Sequence, residues 1–177
     1  AERASFNKSG FMMTPTTAAA TMPRNATRNT GNRGAVTRLI DLGAKPYLVA
    51  AGLRGVVAQR LVRRVCPTCV EYREPTAAAW RALGGGTEPP AGVRFAQGRG
   101  CRDCHGTGYR GRIGLFEVLE VDEGLRALIH AGADPTALRA AAAAAGLRTL
   151  RADGIRKVSA GLTSVDEVAS LTLGDPD

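Results

Sequence analysis

The fold is decided by two stretches, GVVAQRLVRRVCPTC at residues 55–69 and GCRDCHGTGYRGRIGLFEVLEV at residues 100–121. Each stretch carries a Cys-x-x-Cys pair beside a run of apolar residues. These pairs contain all four cysteines of the chain, which are Cys66, Cys69, Cys101 and Cys104. Zn²⁺ prefers four ligands in a tetrahedron, and thiolate sulfur suits it. The spacing therefore predicts one closed, structural zinc site with these four cysteines as ligands.

The 31 residues between the two pairs, residues 70–100, make a longer gap than common zinc ribbons have. We therefore expect an inserted loop or hairpin between the two halves of the site. Disulfides would need an oxidising compartment, for which the sequence gives no sign, and a redox Cys-x-x-Cys usually occurs singly. His105 follows Cys104 directly, but four thiolates already fill the coordination of the metal. We expect His105 to lie beside the site without binding the ion.

Composition limits the class of protein. Apolar residues make up 44% of the 177 residues and charged residues 23%, which favours a globular fold over disorder. No apolar run approaches the roughly 20 residues needed to cross a bilayer, and residues 1–22 lack the apolar stretch of a signal peptide. We therefore expect a cytoplasmic protein. The formal net charge of +8 is compatible with anionic partners, or simply with an arginine-rich proteome.

The strands are only partly determined by periodicity. In residues 55–65, the spacing of Val57, Leu61 and Val65 fits a helix, whereas alternation along the same residues fits a strand. Residues 111–121 are rich in Ile, Phe, Val and Leu and predict a strand that leaves the cysteine module.

The remaining pattern is helical. Asp122 and Asp134 are expected to cap helices, and Ser164 with Glu167 predicts a capping box. Caps and breakers together predict helices at residues 35–42, 47–53, 123–130, 135–145 and 149–160, a last helix that ends at Leu171, and a short one around Trp80.

Four blocks in fixed order resemble one known family. They are GAVTRLIDLG at 34–43, GVVAQRLVRRVCPTC at 55–69, GCRDCHGTGYRGRIGLFEVLEV at 100–121 and LRTLRADGIRKVSAGLTSVDEV at 147–168. This order, with the four cysteines, resembles the C-terminal part of the ATPases of type II secretion and type IV pilus assembly. The resemblance covers about residues 34–173.

The resemblance implies an α/β fold: the C-terminal part of a RecA-like ATPase domain with an inserted tetracysteine zinc module and a C-terminal helical subdomain. It divides the chain into a flexible or degenerate segment at 1–33, a partial RecA-like core at 34–65 and 105–121, a zinc module at 66–104, and helices at 122–177. It also implies that Cys66, Cys69, Cys101 and Cys104 bind the metal.

Family resemblance further implies location and partners. Members of the family form hexameric rings at the cytoplasmic face of the inner membrane, where ATP and Mg²⁺ power the movement of a pilus or pseudopilus. The expected partners are platform proteins of the inner membrane and other ATPase subunits, in homo- or hetero-oligomers.

Nucleotide-binding motifs are not found in these 177 residues. Phosphoryl transfer in such ATPases needs G-x-x-x-x-G-K-[ST] and an acid on a strand of the Walker B type. The first motif does not occur here, and no strand-borne acid resembles the second. We therefore predict no catalytic or nucleotide-binding residue in this chain alone. We expect it to be catalytically silent and to serve zinc-stabilised assembly or partner contact, as a fragment of a larger ATPase or as a truncated relative.

Two other classes of protein share some of these features. The run Cys101-x-x-Cys104-His105-Gly106-x-Gly108 resembles one repeat of the cysteine-rich region of DnaJ-type chaperones, which would make the chain a zinc-dependent protein-binding module. The positive charge would suit a nucleic-acid-binding zinc protein. However, the arginines are hardly interleaved with aromatic residues, which does not favour nucleic acid as the partner.

Overall fold

The computed structural model describes residues 31–172 as a mixed α/β chain. The expectation for residues 1–30 lies outside the described residues. The elements in chain order are α1 (Gly31–Asp41), α2 (Pro46–Gly52), β1 (Gly55–Val65), β2 (Val70–Arg73), α3 (Ala77–Ala82), β3 (Phe95–Gly98), β4 (Tyr109–Glu120), α4 (Glu123–His130), α5 (Pro135–Ala144), α6 (Leu150–Ser159) and α7 (Val165–Thr172).

The ambiguous stretch before the first cysteine pair is a strand. β1 pairs antiparallel with β4, so that Ala58 lies opposite Glu117 and Val62 opposite Ile113. The strand predicted after the second cysteine pair is thus confirmed as β4, the partner of β1. Alternation, rather than the helical spacing, was the informative pattern, because side chains of a strand point alternately to its two faces.

The two faces of the β1–β4 ribbon differ sharply. Its inner face is covered by helices and buries Val62, Leu115 and Leu119. Its outer face leaves four large apolar side chains between 42% and 63% exposed, namely Val57, Leu61, Phe116 and Val118.

Residues between the cysteine pairs form a second small sheet and a helix. β2 pairs antiparallel with β3, with Val70 opposite Gly98 and Arg73 opposite Phe95. Between them, Thr76 caps α3 by accepting a hydrogen bond from the amide of Ala79. The inserted hairpin expected from the long gap is present.

Two apolar clusters lie on the inner side of the ribbon. The first joins the end of β4 to helices α1, α2, α4 and α5 through Val36, Val49, Ala50, Leu119, Val121, Leu125, Ile129, Leu138 and Ala142. The second joins the middle of the ribbon, the inserted segment and helices α6 and α7 through Val62, Trp80, Leu83, Phe95, Leu115, Leu150, Val158 and Val168. The inserted segment therefore shares apolar packing with the C-terminal helices.

Side-chain caps set the starts of the C-terminal helices. The carboxylates of Asp122 and Asp134 accept amide hydrogen bonds in the first turns of α4 and α5, as predicted, and Thr149 caps α6. Ser164 accepts a long hydrogen bond of 3.4 Å from the amide of Glu167. The carboxylate of Glu167 bonds to Arg63 of β1, so it serves a tertiary contact in place of the predicted reciprocal bond.

Helix α6 covers the edge of β4 that does not pair with β1. Asp153 accepts a hydrogen bond from the backbone amide of Phe116 at 3.0 Å, and Lys157 donates to the carbonyl of Gly114. Asp153 also pairs with Lys157 and with Arg156. Although burial acts to raise the pKa of Asp153, these hydrogen bonds hold that pKa below its usual range. None of the helices between residues 31 and 172 is long and apolar enough to cross a membrane.

Candidate metal centre

The four cysteines lie at the junction of the two small sheets. Cys66 directly follows β1, and Cys69 directly precedes β2. Cys101 comes three residues after β3, and Cys104 ends a single turn of 3₁₀ helix before β4. The chain thus brings one sulfur from the end of each strand to the same place.

The sulfur atoms have the spacing of a tetrahedral metal site. The Sγ atoms of Cys66 and Cys101 are 3.9 Å apart, as are those of Cys69 and Cys104, and Cys101 and Cys104 are separated by 3.6 Å. All four lie within 4.8 Å of one another. Four sulfurs placed about 2.3 Å from a central ion would be about 3.8 Å apart. Since a disulfide needs about 2.05 Å, these are free thiols, and they are close enough together that they could hold a metal ion.

Burial and backbone amides give the thiols different acidities. Burial raises the pKa of Cys69 to about 12, and the neighbouring thiols add to the effect. Burial also opposes ionisation of Cys104, but the amides of Cys101 and Gly108 donate to its sulfur at 3.1 and 3.3 Å. These bonds lower the pKa of Cys104 to about 6. The two amides therefore favour the thiolate form of Cys104, which is the form that binds metals.

Two glycines allow the backbones around the site to touch. A Cβ on Gly98 would lie 2.0 Å from the carbonyl oxygen of Gly108, and a Cβ on Gly108 would lie 2.5 Å from that of Gly98. Gly108 also has a φ of +77°, which L residues rarely adopt. The amide of Cys66 donates to the carbonyl of Gly108 at 2.9 Å. Glycine at these positions therefore lets the first half of the site dock on the second.

His105 is placed as the sequence predicted. It is exposed, and it has a φ of 51°, so it ends the 3₁₀ turn in the left-handed conformation. It is not a member of the cluster of possible ligand atoms. The two Cys-x-x-Cys turns are also joined directly, because the hydroxyl of Thr68 donates to the carboxylate of Asp103 at 2.9 Å.

A polar contact links the centre to the last helix. The guanidinium of Arg63 donates to the carboxylate of Glu167 at 2.7 Å and lies 4.0 Å over the ring of Tyr109. The hydroxyl of Tyr109 in turn bonds to Ser164 at 2.8 Å. Burial acts to raise the pKa of Glu167, yet Arg63 lowers it. This contact was not predicted, because Arg63 and Glu167 are 104 positions apart in the sequence.

The segment that contains this centre matches one protein family. Residues 27–170 match the model of the T2SSE family, described as type II/IV secretion system protein. The match spans more than half of the chain and includes all four cysteines. The chain belongs to this family.

Individual relatives are named either as type IV pilus assembly ATPases or as type II secretion system proteins. The chain is 41% identical over 139 residues to the type IV pilus assembly ATPase PilB of Thermus thermophilus, covering 78% of this chain and 16% of that protein. It is 41% identical over 139 residues to the type II secretion system protein E of Pseudomonas aeruginosa, covering 78% of this chain and 27% of that protein. The type II secretion system ATPase E of Vibrio cholerae is 40% identical over the same length, again with 78% and 27% covered. The chain thus spans about a quarter or less of the length of these relatives.

Proposed function

We propose that this chain is the C-terminal part of an ATPase that powers type II secretion or type IV pilus assembly, and that its own task is zinc-stabilised assembly. The observation that carries the proposal is the group of four thiols, spaced for a tetrahedral ion, inside the segment that matches the family. On this proposal β1 and β4 belong to a RecA-like core, and α4–α7 form a C-terminal helical subdomain.

Zinc is the ion that this donor set fits. Cys66, Cys69, Cys101 and Cys104 would hold it, and four sulfur ligands leave no open position for a substrate or water. When bound, the ion supplies a cross-link and no catalysis. The chain's own residues then determine what that link joins: the ends of β1 and β4 on one side and those of β2 and β3 on the other.

The proposed catalytic silence rests on the sequence. The 177 residues contain neither the phosphate-binding G-x-x-x-x-G-K-[ST] nor a strand-borne acid that resembles a Walker B motif. Hydrolysis in the complete machine would then depend on other parts of an ATPase chain. We propose that the chain acts at the cytoplasmic side of the inner membrane, where it contacts platform proteins and other ATPase subunits.

Two measurements test this function. Metal analysis of the purified chain should give one zinc per chain, and removal of zinc by a chelator should make residues 66–104 sensitive to protease. Calorimetric titration of the zinc-loaded chain with Mg-ATP should show no binding. Micromolar ATP binding would overturn the silent role, and a metal-free chain with unchanged protease resistance would overturn the structural role of zinc.

A further inference from the structure

The segment between α6 and α7 is bonded to the strand that leads into the first cysteine pair. The amide of Val65, the residue directly before Cys66, donates to the carbonyl of Leu162 at 3.1 Å. The hydroxyl of Thr163 donates to the carbonyl of Arg63 at 2.8 Å, and Thr163 is buried, so water has little access to this bond. The backbone that presents Cys66 is therefore fixed by the C-terminal part of the chain.

The first turn of α7 holds the same place through an ion pair. Arg63 donates three hydrogen bonds to the carboxylate of Glu167, from its backbone amide at 2.8 Å and from Nε and Nη2 of its guanidinium at 2.9 and 2.7 Å. The side chain of Glu167 is only 15% exposed, so solvent screens this pair less than it screens an ordinary surface salt bridge. The pair therefore ties α7 to β1 close to Cys66.

The same segment also reaches the strand that follows the second cysteine pair. The hydroxyl of Tyr109 is hydrogen-bonded to that of Ser164 at 2.8 Å, and Ser164 is buried. Tyr109 directly follows Gly108, whose amide donates to Sγ of Cys104 at 3.3 Å. The guanidinium of Arg63 lies 4.0 Å over the ring of Tyr109, so the contacts to β1 and to β4 adjoin each other.

We propose that residues 162–167 form a clamp on the metal centre, so that retention of zinc depends on the docking of α7. Glu167 is then a positioning residue, because it holds the strand that presents Cys66 through Arg63 and does not touch the ion. This inference rests on the zinc binding proposed above. Coupling between two sites acts in both directions, so bound zinc should in turn hold α7 in place. Movement of α7 away from β1 would therefore weaken the hold on the metal.

The position of the clamp separates this coupling from general stability. The clamp bonds to Arg63, Val65 and Tyr109, which adjoin the two cysteine pairs. Helix α6 instead binds the backbone of β4 farther from the cysteines, where Asp153 accepts from the amide of Phe116. Loss of the Asp153 contacts should therefore lower stability without a matching loss of zinc.

The test measures how readily the zinc-loaded chain gives up its metal to a competing chelator of known affinity. Glu167→Gln should raise the dissociation constant for zinc about fivefold, because it removes the charge that holds Arg63. Asp166→Asn is the matched control, since it removes the same charge from an exposed position in the same turn of α7, and it should retain zinc like the unmodified chain. Asp153→Asn controls for general stability and should change the dissociation constant less than about twofold.

A second variant keeps the test valid if Glu167→Gln does not fold. Tyr109→Phe leaves the ring under Arg63 and removes only the hydroxyl that bonds to Ser164, so it should raise the zinc dissociation constant about threefold. The reverse direction is measured by amide hydrogen exchange in the unmodified chain. Removal of zinc should speed exchange in α7 more than in α4, which does not contact the clamp's partners on β1.

Each contrary outcome has a definite meaning. If Glu167→Gln and Tyr109→Phe retain zinc as the unmodified chain does, or if zinc removal leaves exchange in α7 unchanged, the clamp is overturned and the proposed zinc site stands. If Asp153→Asn loses as much zinc affinity as Glu167→Gln, the effect is one of general stability and the clamp is again overturned. A purified chain that binds no zinc would overturn both this inference and the proposed structural role of the ion.

Discussion

The two ends of the β1–β4 ribbon are held in different ways. At the end near Val65 and Tyr109, the four sulfurs lie within 4.8 Å of one another, and the apolar cluster there consists of the cysteines themselves. At the opposite end, Leu119 and Val121 are buried among the apolar side chains of four helices. One end depends on a few donor atoms, and the other depends on many small contacts.

This difference predicts two kinds of failure. A site with four ligands loses most of its ion affinity when one ligand is removed, so the cysteine end should fail in one step. Apolar packing loses stability in proportion to the volume removed, so the helical end should weaken by degrees. A chelator should therefore affect the cysteine end first.

The largest effect is expected for Cys101→Ser, which removes one ligand. We expect loss of bound zinc and of folding free energy on the order of 10 kcal/mol within residues 66–104. Metal analysis and limited proteolysis would measure both. His105→Asn is the matched control, because asparagine tolerates the left-handed backbone and His105 is not in the ligand cluster. Equal loss of zinc in the control would show that His105 is a ligand.

Gly108→Ala should have the next largest effect. Its φ of +77° disfavours alanine, and the new Cβ would lie 2.5 Å from the carbonyl oxygen of Gly98. We expect a loss of about 4 kcal/mol in the free energy of unfolding. Gly106→Ala is the control, because Gly106 has the same φ and no atom within 4 Å of an added Cβ. It should lose about 1 kcal/mol. If denaturant unfolding shows the same loss of free energy in both variants, the close approach of Gly108 to Gly98 does not contribute to stability.

Ile129→Ala tests the helical end. Ile129 is 1% exposed and packs in the cluster with Leu119 and Leu125. We expect a loss of about 3 kcal/mol, and about 1 kcal/mol for Ile129→Val. Both variants should keep their zinc, as measured by metal analysis. Zinc loss in Ile129→Ala would show that the two ends of the ribbon unfold together.

Asp153→Asn should have the smallest effect of the four changes, about 2 kcal/mol, because it weakens the hydrogen bonds that Lys157 and Phe116 make to a charged carboxylate. The folded pKa of Asp153 is lowered, so its contribution to stability is complete above the unfolded pKa of about 4 and is lost as the pH falls further. The unmodified chain should therefore lose more stability than Asp153→Asn on acidification. Glu74→Gln is the control, because Glu74 and Arg94 form an exposed pair. If acidification lowers the free energy of unfolding of the unmodified chain and of Asp153→Asn by the same amount, Asp153 is not the source of the pH dependence.

Whether a feature of the structure was predictable depends on how far apart in the sequence the interacting residues lie. Helix starts at Asp122 and Asp134 were predictable, because a cap and the amides it binds are neighbours in sequence. The four cysteines were predictable as a group, since few chemical roles need that spacing. The secondary structure of residues 55–65 was not predictable, because the spacing of its apolar residues fits both a helix and a strand. Only the pairing with β4 decides between the two.

Contacts between distant residues were outside the reach of the sequence. The bonds of Arg63 with Glu167 and of Asp153 with Phe116 join residues that no local pattern connects. For the same reason, no local pattern predicted that the inserted segment packs against the C-terminal helices. In the structure, Trp80 and Phe95 of that segment pack with Val158 and Val168 of the helices.

Trp80 gives the molecule an optical property. It is the single tryptophan of the chain, and its side chain is 6% exposed where the inserted segment meets α6 and α7. Its ring stacks on Phe95 with centroids 6.4 Å apart. Separation of the inserted segment from the helices would bring the indole into water and move its fluorescence emission to longer wavelength. The chain therefore carries a single built-in fluorophore that reports, without any label, whether the inserted segment stays packed on the helices.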